Sequence, residues 1–368
     1  MQENDFDTEL IPRDVLFGNP ERAAARISPD GLSIAYLAPL DGVLNVWVKK
    51  IGTEDCRVIT KDKERGVRNF FWAHNNRHIL YFQDMGGDEN WRLYCVDLET
   101  DAVRDLTPFD NVQTYLNRVS KYLPNEITIG MNKDNPKLHD IYRVNLMTGE
   151  LKLIAKNPGT VLYWVADANL NVLAAKAATS DGGADLLLRD HETAEWRKLI
   201  HWDLDDVLSG PICFSKDREQ LYLYDSRNAN TLRLVKLTIR TGELEVIVED
   251  SQYDATDVII HPDTYNIQAV AFTKSRKEWT VIDEQIKEDF SRIKMHERGD
   301  FEVMNRDHAD RFWIVLFVND NASYSYHIYD RSTKSFTFLF FNKPELRRYM
   351  LSEMEPISFT ARDGLLIH

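Results

Sequence analysis

The sequence is poor in the features that mark several large protein classes. Its 368 residues hold three cysteines, Cys56, Cys95 and Cys213, far apart and odd in number. A disulfide framework is therefore not expected, and a reducing compartment is. No run of eighteen apolar residues occurs, which excludes a membrane-spanning helix. The first residues, MQENDFDTELIPRD, are acidic and polar, the opposite of a signal peptide. No stretch is rich in Lys and Arg, and 45 basic against 59 acidic side chains give a formal charge of -14. Such a field repels a phosphate backbone. The expectation is a soluble cytoplasmic protein with neither nucleic acid nor membrane as a partner.

Familiar catalytic signatures are also missing. The chain has no Gly-x-Ser-x-Gly elbow, no HExxH, no CxxC and no phosphate-binding glycine loop. Neither a cofactor nor a metal is expected. Ser291 and Lys294 match Ser-x-x-Lys, but in a predicted strand or loop without partner motifs, so the match reads as chance. His74 and His78 are four apart, yet Asn75 and Asn76 between them mark a tight turn. Solvated turn histidines explain them better than metal ligands do. Asp203, Asp205 and Asp206 read as a solvated loop rather than a cation site.

What the chain does have is a repeat. An alternating apolar strand, a turn built on Thr or Gly with acids, and another apolar strand recur in six segments. These are VWVKKIGTEDCRVIT, LYCVDLETDAVRDLT, IYRVNLMTGELKLIA, LLLRDHETAEWRKLI, LVKLTIRTGELEVIV and HIYDRSTKSFTFLF. The turn threonines are Thr53, Thr100, Thr148, Thr193, Thr241 and Thr333, about 47 residues apart except for a double interval before the last. A hidden copy is expected there, with its turn at His296–Asp300 between FSRIKM and FEVM. A second hairpin precedes the phrase, as in AARISPDGLSIAYLA, FFWAHNNRHILYFQD, ICFSKDREQLYLYDS and VIIHPDTYNIQAVAFT, with DRFWIVLFVNDNASYSYHIYD as a less regular version. Two hairpins per unit make a four-stranded antiparallel sheet whose edges are protected when units surround an axis. The fold class expected is all-β, a seven-bladed β-propeller over residues 22–346. Residues 1–21 read as a turn-and-helix preamble, with Asn19-Pro20 as a helix start. Residues 347–368 read as a linker followed by the first strands of a further domain, because PISFTARDGLLIH has the pattern of a hairpin.

One loop carries more chemistry than the rest. Gln83-Asp84-Met85-Gly86-Gly87-Asp88-Glu89-Asn90-Trp91 sets a flexible glycine turn beside two carboxylates, an amide and an aromatic ring. It reads either as a polar recognition loop or as a wide hairpin turn with solvated acids.

At these residues the sequence resembles a known family. IPRDVLFGNPERAAARISPDGLSIAYLAP, NFFWAHNNRHILYFQDMGGDENWRLYCVDL and the final ISFTARDGLLIH are similar to the prolyl oligopeptidase family of serine peptidases, in its acylaminoacyl-peptidase and dipeptidyl-peptidase-like branch. The resemblance implies a propeller that caps an α/β-hydrolase domain and admits only short peptides. The catalytic Ser, Asp and His would all belong to that hydrolase domain, absent here, so this chain alone is expected to be inactive and holds no catalytic residue. Its partners would be that C-terminal domain and short peptide substrates. By motif position Glu89 would lie near the active site, pairing with an arginine of the hydrolase domain or a substrate end, with Asp88 and Asn90 in support. The exposed propeller ends would make self-association possible. Two other readings are a stand-alone propeller scaffold for protein interactions and a propeller enzyme with its own channel site. The second would need His or acid clusters at repeat spacing, which the sequence lacks.

Overall fold

A computed structural model describes residues 10–368; the first nine residues of the expected preamble lie outside the described residues. The chain is a seven-bladed β-propeller of antiparallel sheets. Six sheets have four strands in simple sequential order, and one has three. Contacts between neighbouring blades run mostly through their first strands, which are therefore the inner ones. The chain divides into two compact units. Residues 68–291 hold blades two to six; residues 10–67 and 292–368 hold blades one and seven.

Burial explains the strand sequences. A second strand such as Phe312–Val318 (FWIVLFV) is buried on both faces by flanking sheets, so it reads as a continuous apolar run. Fourth strands lie outermost and alternate or turn polar, as in Glu243–Val248 (ELEVIV). Side-chain bonds tie blades to their neighbours. Asn305 of blade seven accepts from the Ile27 amide at 2.9 Å and donates to the Ile27 carbonyl at 2.8 Å in blade one. Trp202 of blade four, fully buried, donates to Asp225 of blade five at 2.8 Å.

All six turn threonines fall between third and fourth strands, as the repeat requires. The hidden copy does not follow expectation. Blade six stops at its third strand, Lys277–Val281, and helix Lys287–His296 follows it. Asp283 caps the preceding 3-10 turn by accepting from the Gln285 amide at 3.0 Å. Ile286, Phe290 and Ile293, spaced four and three apart, form one buried face. Thus FSRIKM is helical, the turn near Gly299 enters blade seven, and FEVM belongs to that blade's first strand, Asp300–Arg306. The segment beginning DRFWIVLF accordingly supplies the second and third strands of blade seven.

The preamble differs too. Its helix, Arg13–Phe17, precedes Asn19-Pro20 instead of following it, and the Asn19 side chain donates to the Gly42 carbonyl. The approach to blade one meets the end of blade seven: the Glu21 amide donates to the Asn342 carbonyl at 2.8 Å. A 3-10 turn at Pro344–Arg348 and an extended stretch follow, anchored where Arg298 meets Glu353 at 2.7 Å. The final hairpin pairs Phe359–Thr360 with Leu366–Ile367, and all four residues are exposed.

Candidate functional site

The loop 84–91 joins the second strand of blade two, His78–Gln83, to the third, Arg92–Asp97. In every four-stranded blade this loop shares an end with the exit of the fourth strand. Asp84 is buried at the base of the loop. Gly86 and Gly87 then take φ of 62° and 89°, the left-handed region that favours glycine.

The Asp88 carboxylate holds the rest together. It accepts from the Asn90 amide at 3.1 Å, the Asn90 side chain at 3.2 Å and the Met85 amide at 3.1 Å. These bonds, led by that from the Asn90 backbone, hold Asp88 below the ordinary carboxylate range. Asp88 and Asn90 are thus the internal lock of the loop. Glu89 sits between them at φ 57°, exposed, with its carbonyl accepting from Gln113 at 3.4 Å. Among the described residues no partner meets its carboxylate. Trp91 backs the loop, its carbonyl accepting from the Thr114 amide at 2.9 Å. The arrangement presents one carboxylate on a braced loop, and such a group can pair with an ammonium or guanidinium.

The other marked residues are not brought together. His78 is buried on its strand with Nδ1 2.8 Å from the Asn75 side chain, so it is not a solvated turn residue, whereas His74 lies half-buried in the turn. Burial pushes the His78 pKa down. Ser291 and Lys294 lie exposed on helix Lys287–His296, with the Ser291 hydroxyl donating back to the Lys287 carbonyl. Between blades four and five Asp203 and Asp205 are exposed, and half-buried Asp206 accepts from the Ser226 hydroxyl at 2.7 Å. Among the described residues no group of three His, Cys, Asp or Glu is placed to hold a metal. No described helix is long and apolar enough to cross a membrane. Sequence reading missed one polar cluster, in which His201 Nδ1 lies 2.6 Å from Asp185 and Nε2 lies 3.2 Å from Asp181. His201 and Asp185 face each other across paired strands, so only the register reveals them.

Comparison with known proteins agrees with the fold. The chain is 38% identical over 359 residues to dipeptidyl aminopeptidase BIII of Pseudoxanthomonas mexicana, covering 97% of this chain and 52% of that protein. It is 27% identical over 379 aligned positions to dipeptidyl peptidase family member 6 of Caenorhabditis elegans, covering 98% and 51%. A solved prolyl endopeptidase superposes with a TM-score of 0.66 at 10% identity, covering 95% of this chain and 54% of that one. No protein-family model matches. The chain spans about half the length of the curated relatives it matches. Fold and likeness together define a propeller of the prolyl-peptidase kind. The relatives it matches are dipeptidyl peptidases, and the likeness covers about half of each.

Proposed function

We propose that this chain is the substrate-selecting propeller of a serine peptidase that removes dipeptides from, or otherwise hydrolyses, short peptides. The whole-length likeness to dipeptidyl peptidases about twice as long carries this reading. The catalytic serine, histidine and aspartate lie outside this chain, and chemistry proceeds by acyl transfer to the serine with the histidine as base. The propeller limits access by size. Glu89 supplies the charge, pairing with an arginine of the catalytic domain or with the ammonium end of a peptide. A carboxylate enclosed at such an interface without a cation would be costly, which favours a partner of this kind.

The test is Glu89→Gln in the longer protein, assayed with a peptide and with a small neutral ester. Peptide turnover falls while ester hydrolysis is kept. Equal effects on both substrates would remove Glu89 from substrate selection.

A further inference from the structure

Five of the six fourth strands carry charge. Arg57 lies in Cys56–Val58, Arg104 and Asp105 in Val103–Asp105, Lys152 in Leu151–Ala155, Arg197 and Lys198 in Arg197–Trp202, and Glu243 and Glu245 in Glu243–Val248. Charges on an outermost strand discourage stray strand pairing. The fourth strand of blade seven, Ser335–Phe341, departs from this. It reads SFTFLFF, is the longest of the six at 7 residues and holds no charge. Its neighbour Ser325–Asp330 pairs with one side, and a bulge beside Leu339 leaves Ser335–Phe338 as the regular stretch. Among the described residues no backbone bond reaches its other side.

Beside that open edge lies a cleft of about 510 Å3. Thr337–Phe340 form one wall, and residues 49–54 with Cys56 of blade one form the other. Its charged lining is three cations, Arg22, Lys49 and Lys50, against one carboxylate, Glu54. Glu54 meets Lys49 at 3.2 Å but is almost wholly exposed, so it can swing away. Lys334 flanks the start of the strand. On a chain of net charge -14 this is a local reversal of sign.

We propose that this edge and cleft receive an extended acidic peptide segment of a partner protein, added as a fifth strand to blade seven. Main-chain bonds to Ser335–Phe338 would hold the segment, and carboxylates on alternate residues would reach Arg22, Lys49 and Lys50. Its intervening apolar side chains would cover Phe338, which is 49% exposed. A second copy of this chain is a poorer occupant, since it brings the same cations. The proposal does not depend on the peptidase reading.

The probe is a fluorescein-labelled acetyl-Glu-Val-Asp-Val-Glu-Val-Asp amide, read by anisotropy against this chain. Binding is saturable, weakens as salt rises, and slows alkylation of Cys56. Lys49→Glu with Lys50→Glu weakens it about tenfold, and Thr337→Pro removes it. The lysine wall leaves the strand itself untouched, so that variant decides the matter even where the proline variant fails to fold. Equal binding of a peptide with Lys at every acidic position, or affinity unmoved by the lysine reversals, would overturn the proposal. So would concentration-dependent dimers in sedimentation that Thr337→Pro abolishes, which would make a second copy the occupant.

Discussion

Tyr122 of blade three donates its hydroxyl hydrogen to the backbone carbonyl of Asp263 in blade six at 3.0 Å, across 141 residues of chain. Two blades separate them in chain order, so within residues 68–291 this contact passes across the propeller axis and not through the flank of a neighbour. Lys121 pairs with the Asp263 carboxylate, and the Lys216 ammonium of blade five lies 4.4 Å from the centre of the Tyr122 ring. Tyr122→Phe removes one hydrogen bond and keeps the ring, at about 1 kcal/mol. Tyr122→Ala also loses the contacts with Lys216 and Tyr265 and destabilises more. Denaturant midpoints of the two variants check this order; equal losses would show that the hydroxyl carries the whole contact.

The three cysteines differ sharply in reactivity. Burial pushes the Cys95 thiol up to about 12 and the Cys213 thiol up to about 11, whereas Cys56 is exposed. The thiolate is the reactive form, so an aromatic disulfide reagent at pH 8 modifies one thiol in the native chain and three in denaturant. Fast release of a second equivalent under native conditions would mean that blade two or blade five opens locally.

Much of the fold was legible because its signals are local. Alternation, Thr-centred turns and spacing placed the hairpin of third and fourth strands in blades one to five and in blade seven. The helix Lys287–His296 was lost for a physical reason. The repeat supplied a frame in which a strand was due, and that frame outweighed three apolar residues at helical spacing and the capping Asp283. The loop 84–91 could be placed from sequence, but the part played by Asp88 could not. Its bonds to Met85 and Asn90 depend on how the glycines fold the backbone back. The His201–Asp185 contact needs the register of two strands, which periodicity alone does not fix.

That contact sets a pH dependence. The hydrogen bond to Asp185 raises the His201 pKa above its ordinary 6.5. A group raised on folding adds stability that is full below the unfolded value and is lost as pH rises through the folded one. Burial instead lowers His78 and His139, whose contributions are present above 6.5 and are lost as pH falls toward their folded values. Comparing the native chain with His201→Gln isolates the first effect. The native chain is the more stable at pH 5.5, and its advantage shrinks toward pH 8. A stability gap constant across that range would show that His201 gains nothing from its carboxylates.

Glu89 separates recognition from stability. A non-glycine residue in the left-handed region is strained by roughly 1–2 kcal/mol, and Glu89 sits there at 57°. Glu89→Gly relieves that strain but frees the unfolded chain by about 0.4–1 kcal/mol, so the balance is neutral to mildly stabilising. Glu89→Gln keeps the strain and, on an exposed side chain, moves stability by no more than about 0.5 kcal/mol. Asp88→Ala is different, because it strips acceptors from the Met85 and Asn90 amides and from the Asn90 side chain. Water replaces part of what is lost in this exposed loop, so the variant is destabilised but still folds. Thermal unfolding of the three variants should therefore put Asp88→Ala below both Glu89 variants. If Glu89→Gln proves as damaging as Asp88→Ala, the carboxylate braces the loop itself and is not held out for a ligand.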